Sequence, residues 1–102
     1  MLTPLDLIKH KRYEEAHKAC LELIRKDVYD AHPYYLLGLI AFEHKNYKKA
    51  LELFTKATEY DPQQAVHFAH LAQTYSILGR QNEAKSTCDK AAKLPITDAF
   101  TA

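Results

Sequence analysis

Apolar and polar residues alternate along the chain with the three- and four-residue spacing of helices that bury one face. Between Tyr47 and Tyr60, for example, Ala50, Phe54 and Ala57 fall on one side of a helix. The same spacing continues through most of the sequence. It predicts helices over Tyr13–Lys26, Ala31–His44 and Tyr47–Tyr60, followed by a further helical pair from about Gln64 to Leu94.

Residues that favour helix ends separate these predicted helices. Asp61-Pro62 ends one of them, because proline cannot continue a helix and restricts the residue before it. Gly79 falls at the turn inside the last predicted pair. Near the amino terminus, Thr3 and Asp6 form a capping-box pattern around a proline, which predicts a short first helix.

The helical pattern repeats every 34 residues. Small residues recur at matching positions, where two helices approach closely, and large residues between them fill the gaps. The matching pairs are Leu37 and Leu71, Gly38 and Ala72, Ala50 and Ala84, Ala57 and Ala91, and, toward the amino terminus, Tyr13 and Tyr47, and Ala16 and Ala50. A fixed period of this length is typical of a stacked helical array.

The repeat predicts an all-α fold, an array of antiparallel helix pairs (an α-solenoid) with about two and a half repeats. We expect one domain over residues 1–102. Residues 1–30 form a partial first repeat, 31–64 and 65–98 are full repeats, and 99–102 are a tail or the start of a further helix.

Charge and composition exclude several classes of function. The 102 residues carry 14 basic and 13 acidic side chains, a net charge of +1 that gives no basic stripe for nucleic acid. No apolar run approaches the about 20 residues needed to span a bilayer, and the first residues lack a signal-peptide pattern. We therefore expect a cytoplasmic protein with no nucleic-acid or membrane partner.

At its repeating positions the chain resembles the tetratricopeptide repeat family, over nearly its whole length. The matching residues are Tyr34, Leu37, Gly38, Tyr47, Ala50, Phe54, Ala57 and Pro62, then Phe68, Leu71, Ala72, Tyr75, Gly79, Ala84 and Ala91, with Tyr13 and Ala16 in the partial repeat. Four residues depart from the family pattern: Lys45 replaces glycine, Ala41 replaces a large aromatic residue, Gln81 replaces tyrosine, and Pro95 comes one residue early.

The resemblance implies a right-handed superhelical array with a partner-binding groove on its concave face, formed by the first helix of each repeat. The candidate partner-binding residues are His32, Tyr35, Leu39, Phe42 and Glu43 from one repeat, and Val66, Ala69, His70, Gln73 and Ser76 from the next. An alternative interpretation remains open for Leu39, Phe42 and Ala69, which could simply pack between neighbouring first helices. Tyr35, His70 and Gln73 are less natural core residues.

One subclass of the family clamps the terminal carboxylate of chaperone tails with lysines and asparagines in this groove. Tyr35, Leu39 and His70 occupy the corresponding positions here, so we expect no such clamp. An aromatic and apolar groove edged by histidine favours an apolar peptide or an amphipathic helix. If His70 or His32 contacts the ligand, binding should change between about pH 5 and 8.

The sequence contains no pattern typical of a catalytic or metal site, and we expect neither an enzyme nor a cofactor. His67 and His70 share a helix side, but no cysteine or acidic residue at a helpful spacing completes a metal ligand set. Cys20 and Cys88 are two periods apart, too far for a disulfide in an array. Both are expected to be reduced, buried, small apolar residues.

Three functional hypotheses follow. The first is a non-catalytic interaction module, a scaffold or adaptor that holds a protein or peptide in the groove. The second is an amino-terminal docking or regulatory segment of a larger multidomain enzyme; "CDKAAKLPITDAF" weakly resembles repeat arrays that precede a sulfotransferase domain. The third is a self-associating unit, a homodimer formed through an uncapped carboxyl-terminal end that exposes Tyr75, Ile77, Leu78 or Cys88.

Overall fold

The computed structural model describes residues 3–94, and these residues form six helices and no strand. The helices are α1 (Pro4–Lys9), α2 (Tyr13–Lys26), α3 (Ala31–Glu43), α4 (Tyr47–Tyr60), α5 (Ala65–Ile77) and α6 (Gln81–Lys93). The predicted all-α class is confirmed, and α2 and α4 have the predicted bounds. None of the helices in this range is long and apolar enough to cross a membrane.

The helices stack as three consecutive pairs, of which the first is truncated at α1. The contacts are most extensive inside the second and third pairs, α3 with α4 and α5 with α6. Between pairs, α2 contacts α3 and α4 contacts α5, so each pair packs on the next one along the chain. This order of contacts is that of a helical repeat array, as the period predicts.

The turn inside each pair has the same backbone geometry three times. Lys11, Lys45 and Gly79 lie 34 residues apart and have positive φ angles of 61°, 60° and 79°. In the second pair the amide of Asn46 donates to the carbonyl of Ala41, the six-residue hydrogen bond of a Schellman motif. The left-handed residue lets each second helix fold back against the first.

Side chains also stabilise the helix starts. Thr3 and Asp6 form the predicted capping box, in which each side chain bonds the other residue's backbone amide. The Asp30 carboxylate accepts from the amide of His32 at the start of α3. These bonds satisfy amide groups that a helix leaves without partners at its amino terminus.

The core depends on a close approach between α3 and α4. Phe54 is fully buried, and its ring lies against the backbone of Gly38. A Cβ atom on Gly38 would come within 2.6 Å of the Phe54 ring, so only glycine allows this contact. Tyr35 and Leu39 of α3 pack against both hydrophobic clusters of the core, that of Cys20, Leu36 and Leu37 and that of Ala50, Phe54 and Leu71.

The repeated left-handed turn predicts opposite effects for two substitutions at equivalent positions. Left-handed backbone costs a residue with a side chain about 1–2 kcal/mol. Lys45→Gly should therefore raise the free energy of unfolding by about 1 kcal/mol, while Gly79→Lys should lower it by a similar amount. A Cβ at Gly79 would meet no atom within 4 Å, so backbone conformation alone is tested. If urea unfolding shows that both substitutions change the free energy of unfolding in the same direction, the prediction is contradicted.

The contact between Gly38 and Phe54 predicts that Gly38→Ala destabilises the protein by about 1–3 kcal/mol, through overpacking. A double-mutant cycle with Phe54→Leu isolates the cause. In the Phe54→Leu background the cost of Gly38→Ala should largely disappear, because the ring is gone and alanine favours the helix. If urea unfolding shows that the two substitutions are simply additive, the ring does not determine the need for glycine.

Candidate functional site

The candidate partner-binding residues divide into exposed and packed groups along α3 and α5. His32, Ala69 and Gln73 are exposed, and Val66 keeps 46% of its surface. Tyr35 and His70 are half-buried. The exposed members leave a surface on which another chain can be placed.

Tyr35 and His70 bind each other across the joint between two repeats. The Tyr35 hydroxyl lies 3.0 Å from Nδ1 of His70, and burial raises the pKa of Tyr35, which keeps the hydroxyl protonated as a donor. The same Nδ1 lies 3.1 Å from the Val66 carbonyl. Nδ1 without a hydrogen accepts from Tyr35, whereas Nδ1–H donates to the Val66 carbonyl, so the two contacts need different tautomers of the ring.

Leu39 and Phe42 belong to the core between repeats, which favours the packing interpretation for these two residues. Both contact the cluster of Ala50, Phe54 and Leu71. The Phe42 ring lies edge-on to Tyr47, with centroids 5.3 Å apart. Ala69 differs from these two residues, because it is exposed on α5.

A polar cavity lies where α3 and α5 begin, and we call it the α3–α5 pocket. Its volume is about 320 Å³. It is lined by Asp30, Ala31, His32, Tyr35, Asp61, Gln64, Val66 and His67. The pocket thus brings together three candidate residues, His32, Tyr35 and Val66, with two aspartates and a histidine that the sequence did not single out for binding.

His67 is the chemically unusual member of the pocket. It is only 5% exposed, and its Nδ1 has no hydrogen-bond partner within residues 3–94. Its ring packs on Tyr35 with centroids 4.5 Å apart. Burial lowers the pKa of His67, while Asp61 and the Ala57 carbonyl oppose that shift. A neutral imidazole in this setting is a buried hydrogen-bond acceptor.

The outer side of the last helix pair, which we call the end face, is more polar than the equivalent interior surface. It forms a hollow of about 510 Å³ between α5 and α6. The equivalent residues, 34 positions earlier in the sequence, are large, and α5 packs over them. The replacements are Tyr35 by Ala69, Leu39 by Gln73, Phe42 by Ser76, Tyr47 by Gln81, Leu51 by Lys85 and Phe54 by Cys88.

The expectation that both cysteines are buried is wrong for Cys88, which is exposed on the end face. Within residues 3–94, no helix packs over it as α5 packs over Phe54. Cys20 is buried as expected, and burial raises the pKa of its thiol to about 11. At neutral pH that thiol stays protonated and is a poor nucleophile.

The histidines predicted to share a helix side do so. His67 and His70 both pack against Tyr35. In the part of the chain that the structure describes, no three potential metal-ligating side chains come together.

The helix pairs and their period define a helical repeat protein. Two models of the tetratricopeptide repeat match the chain, over residues 31–64 and residues 53–86. The chain belongs to the tetratricopeptide repeat family. A curated relative, "TPR repeat-containing protein YsoA" of Bacillus subtilis (strain 168), is 36% identical over 56 residues, which are 55% of this chain and 17% of that protein.

Solved structures show the same fold. MamA from Desulfovibrio magneticus RS-1 is 26% identical with a TM-score of 0.80, covering 89% of this chain and 51% of that chain. The Yersinia enterocolitica type III secretion chaperone SycD is 23% identical with a TM-score of 0.83, covering 95% and 74%. The second TPR of Spaghetti (RPAP3) is 23% identical with a TM-score of 0.82, covering 90% and 85%. The chain thus spans about half the length of the MamA chain.

The buried His67 predicts a pH-dependent stability. Its folded pKa lies below the unfolded value of 6.5, so the unfolded chain binds the proton more readily. Neutral His67 therefore contributes its full stability at pH values above 6.5, the unfolded pKa. This contribution is lost as the pH falls through the lower pKa of the folded protein. Wild type should therefore lose more free energy of unfolding than His67→Leu between pH 7.5 and pH 5.

The control for this prediction is His17→Gln, which removes an exposed histidine. Urea unfolding of that variant should follow the wild-type pH dependence. The Asp61, His32 and His70 side chains that act on His67 remain in all three proteins. A constant difference between wild type and His67→Leu at both pH values would show that His67 does not cause the effect.

Proposed function

We propose that this chain is a non-catalytic protein-interaction module that binds a peptide or helix of a partner protein along α3 and α5. The observation that carries the proposal is the α3–α5 pocket, where the exposed apolar side chain of Val66 adjoins the polar side chains of His32 and Asp30. An apolar side chain beside polar groups offers a partner both area to bury and hydrogen bonds that fix its orientation.

The proposed surface offers two kinds of contact. Val66 and Ala69 present apolar area on successive turns of α5, with Gln73 one turn further along. At the amino-terminal end of the surface, Asp30 and Asp61 line the pocket beside His67. Their negative charge disfavours a carboxylate there and favours a hydrogen-bond donor from the partner. This chemistry supports an apolar peptide that carries a donor group near one end.

Two similar structures contain peptides. SycD was solved with a peptide of the translocator YopD, and the second TPR of Spaghetti with the HSP90 peptide SRMEEVD. At 23% identity, both are evidence for the fold and do not transfer their ligands to this chain. The positions Tyr35, Leu39 and His70 offer none of the lysines and asparagines that clamp a chaperone tail, so we propose a different class of peptide.

The proposal predicts that acidic substitutions on the α3–α5 surface abolish partner capture. Val66→Glu/Gln73→Glu changes two exposed residues and leaves the bonded Tyr35 and His70 intact. In affinity capture from a cell lysate, this variant should lose at least about tenfold of a protein that wild type retains, because the added charges must be desolvated on binding.

A matched control changes two exposed residues of α6 with the same charge difference, Asn82→Glu/Ser86→Glu. It should retain the partner as wild type does, and circular dichroism should show all three proteins equally helical. Equal capture by wild type and the Val66→Glu/Gln73→Glu variant would refute binding along α3 and α5.

Self-association through the end face is the second candidate, favoured by the 46% exposure of Ile77 and by exposed Cys88. Gln73 borders both surfaces, but the polar residues Gln81 and Lys85 belong to the end face and favour the first candidate. Light scattering of the captured baits distinguishes the two, because self-association makes mass depend on concentration.

A further inference from the structure

A second hollow lies on the opposite side of α3 from the proposed partner surface. Helical geometry turns each residue by about 100°, which places Leu37 and Ile40 across the helix from Tyr35 and Leu39. The hollow has a volume of about 490 Å³. We call it the α2–α4 groove; its apolar lining is Leu21, Ile24, Leu37, Ile40, Ala41 and Leu53.

Most of the apolar side chains that line the α2–α4 groove are aliphatic. Leu21 of α2 keeps 43% of its surface, and Ile24, Ile40 and Leu53 are only half-buried. Apolar surface left in water costs about 25 cal/mol per Å² relative to its burial. A contiguous set of partly exposed aliphatic side chains is typical of an interaction surface.

The equivalent positions one period later carry threonine at four places. Leu21, Ile24, Ile40 and Leu53 are replaced by Thr55, Thr58, Thr74 and Thr87. Each of these threonine hydroxyls donates to a carbonyl of its own helix, at 2.7–2.8 Å. The repeat therefore does not require aliphatic residues at these positions, and their presence in the α2–α4 groove is particular to it.

The rim of the α2–α4 groove is basic. His17, His44, Lys49 and Lys56 lie at this rim, and Tyr34 and Asn46 complete the lining. The Lys56 ammonium lies 5.8 Å from the centroid of the Tyr34 ring. No carboxylate is among the described residues that line the groove. Two acidic groups lie nearby. Glu52 approaches Lys49 at 3.6 Å, with both side chains more than half exposed, and Glu14 lies in an adjoining hollow that shares His17. Solvent screening makes such an exposed pair weak, so Lys49 remains available.

We infer that the α2–α4 groove binds an amphipathic helix of a partner protein, one with an aliphatic face and acidic flanks. The aliphatic face would cover Leu21, Ile40 and Leu53, while the acidic flanks would lie against Lys49 and Lys56. The walls α2 and α4 have 14 residues each, or about 21 Å, a length that suits a partner helix of roughly four turns. This site uses no residue of the α3–α5 surface and does not depend on its function.

The test uses synthetic 14-residue peptides with leucine at helical spacing, labelled with fluorescein. One peptide carries glutamate on both flanks and its match carries lysine. By fluorescence anisotropy, the glutamate peptide should bind wild type at least about tenfold more tightly, because only its charge complements the rim. Lys49→Glu/Lys56→Glu should abolish that preference or reverse it. Leu21→Thr, which introduces the residue found one period later, should weaken the glutamate peptide.

Two controls locate the site. Lys48→Glu/Lys90→Glu makes the same charge change at exposed residues outside the groove and should bind as wild type does. The Val66→Glu/Gln73→Glu variant changes α5, which packs on the other side of α3 from the groove, and it should also retain the peptide. No saturable binding, equal binding of the two peptides, or loss of binding only in the Val66→Glu/Gln73→Glu variant would overturn the inference. A change of mass in Leu21→Thr by light scattering would identify a second copy as the occupant and would also overturn it.

Discussion

The packing of Phe54 on the bare backbone of Gly38 is the constraint on which the rest of the structure depends. It brings α4 against α3 without a side chain between them. Tyr35 and His70 pack on the same ring, with centroids 5.8 Å and 5.6 Å from it. The ring that closes one helix pair is therefore also the surface on which the next pair is placed. The position of α5, and with it the α3–α5 pocket, follows from this contact.

The next pair carries a weaker version of the same arrangement. Ala72 occupies the position of Gly38, and Cys88 occupies that of Phe54. Without the ring, the outer surface of α5 and α6 is a shallow hollow with small and polar residues. The repeat thus produces three distinct surfaces: a pocket with charged and polar side chains, a basic-rimmed aliphatic groove, and an end face where small and polar residues replace large ones. Differences between equivalent positions carry more functional information than the repeat itself.

The helices could be predicted from the sequence because local signals and the period agree. The bounds of α2 and α4 follow from amphipathic spacing and from stop residues such as Pro62. The contact of Tyr35 with His67 and His70 could not be predicted, because it depends on the angle between successive pairs. The exposure of Cys88 could not be predicted from the period, because its equivalent, Phe54, is fully buried.

Photo-crosslinking tests the central claim, binding along α3 and α5, most directly. A benzoylphenylalanine placed at Val66 lies at the α3–α5 pocket and outside the end face, and the same residue at Ser86 lies on exposed α6. On irradiation in lysate, we expect a partner to be crosslinked at position 66 and not at position 86. Crosslinking of the same proteins with equal yield at both positions would contradict it.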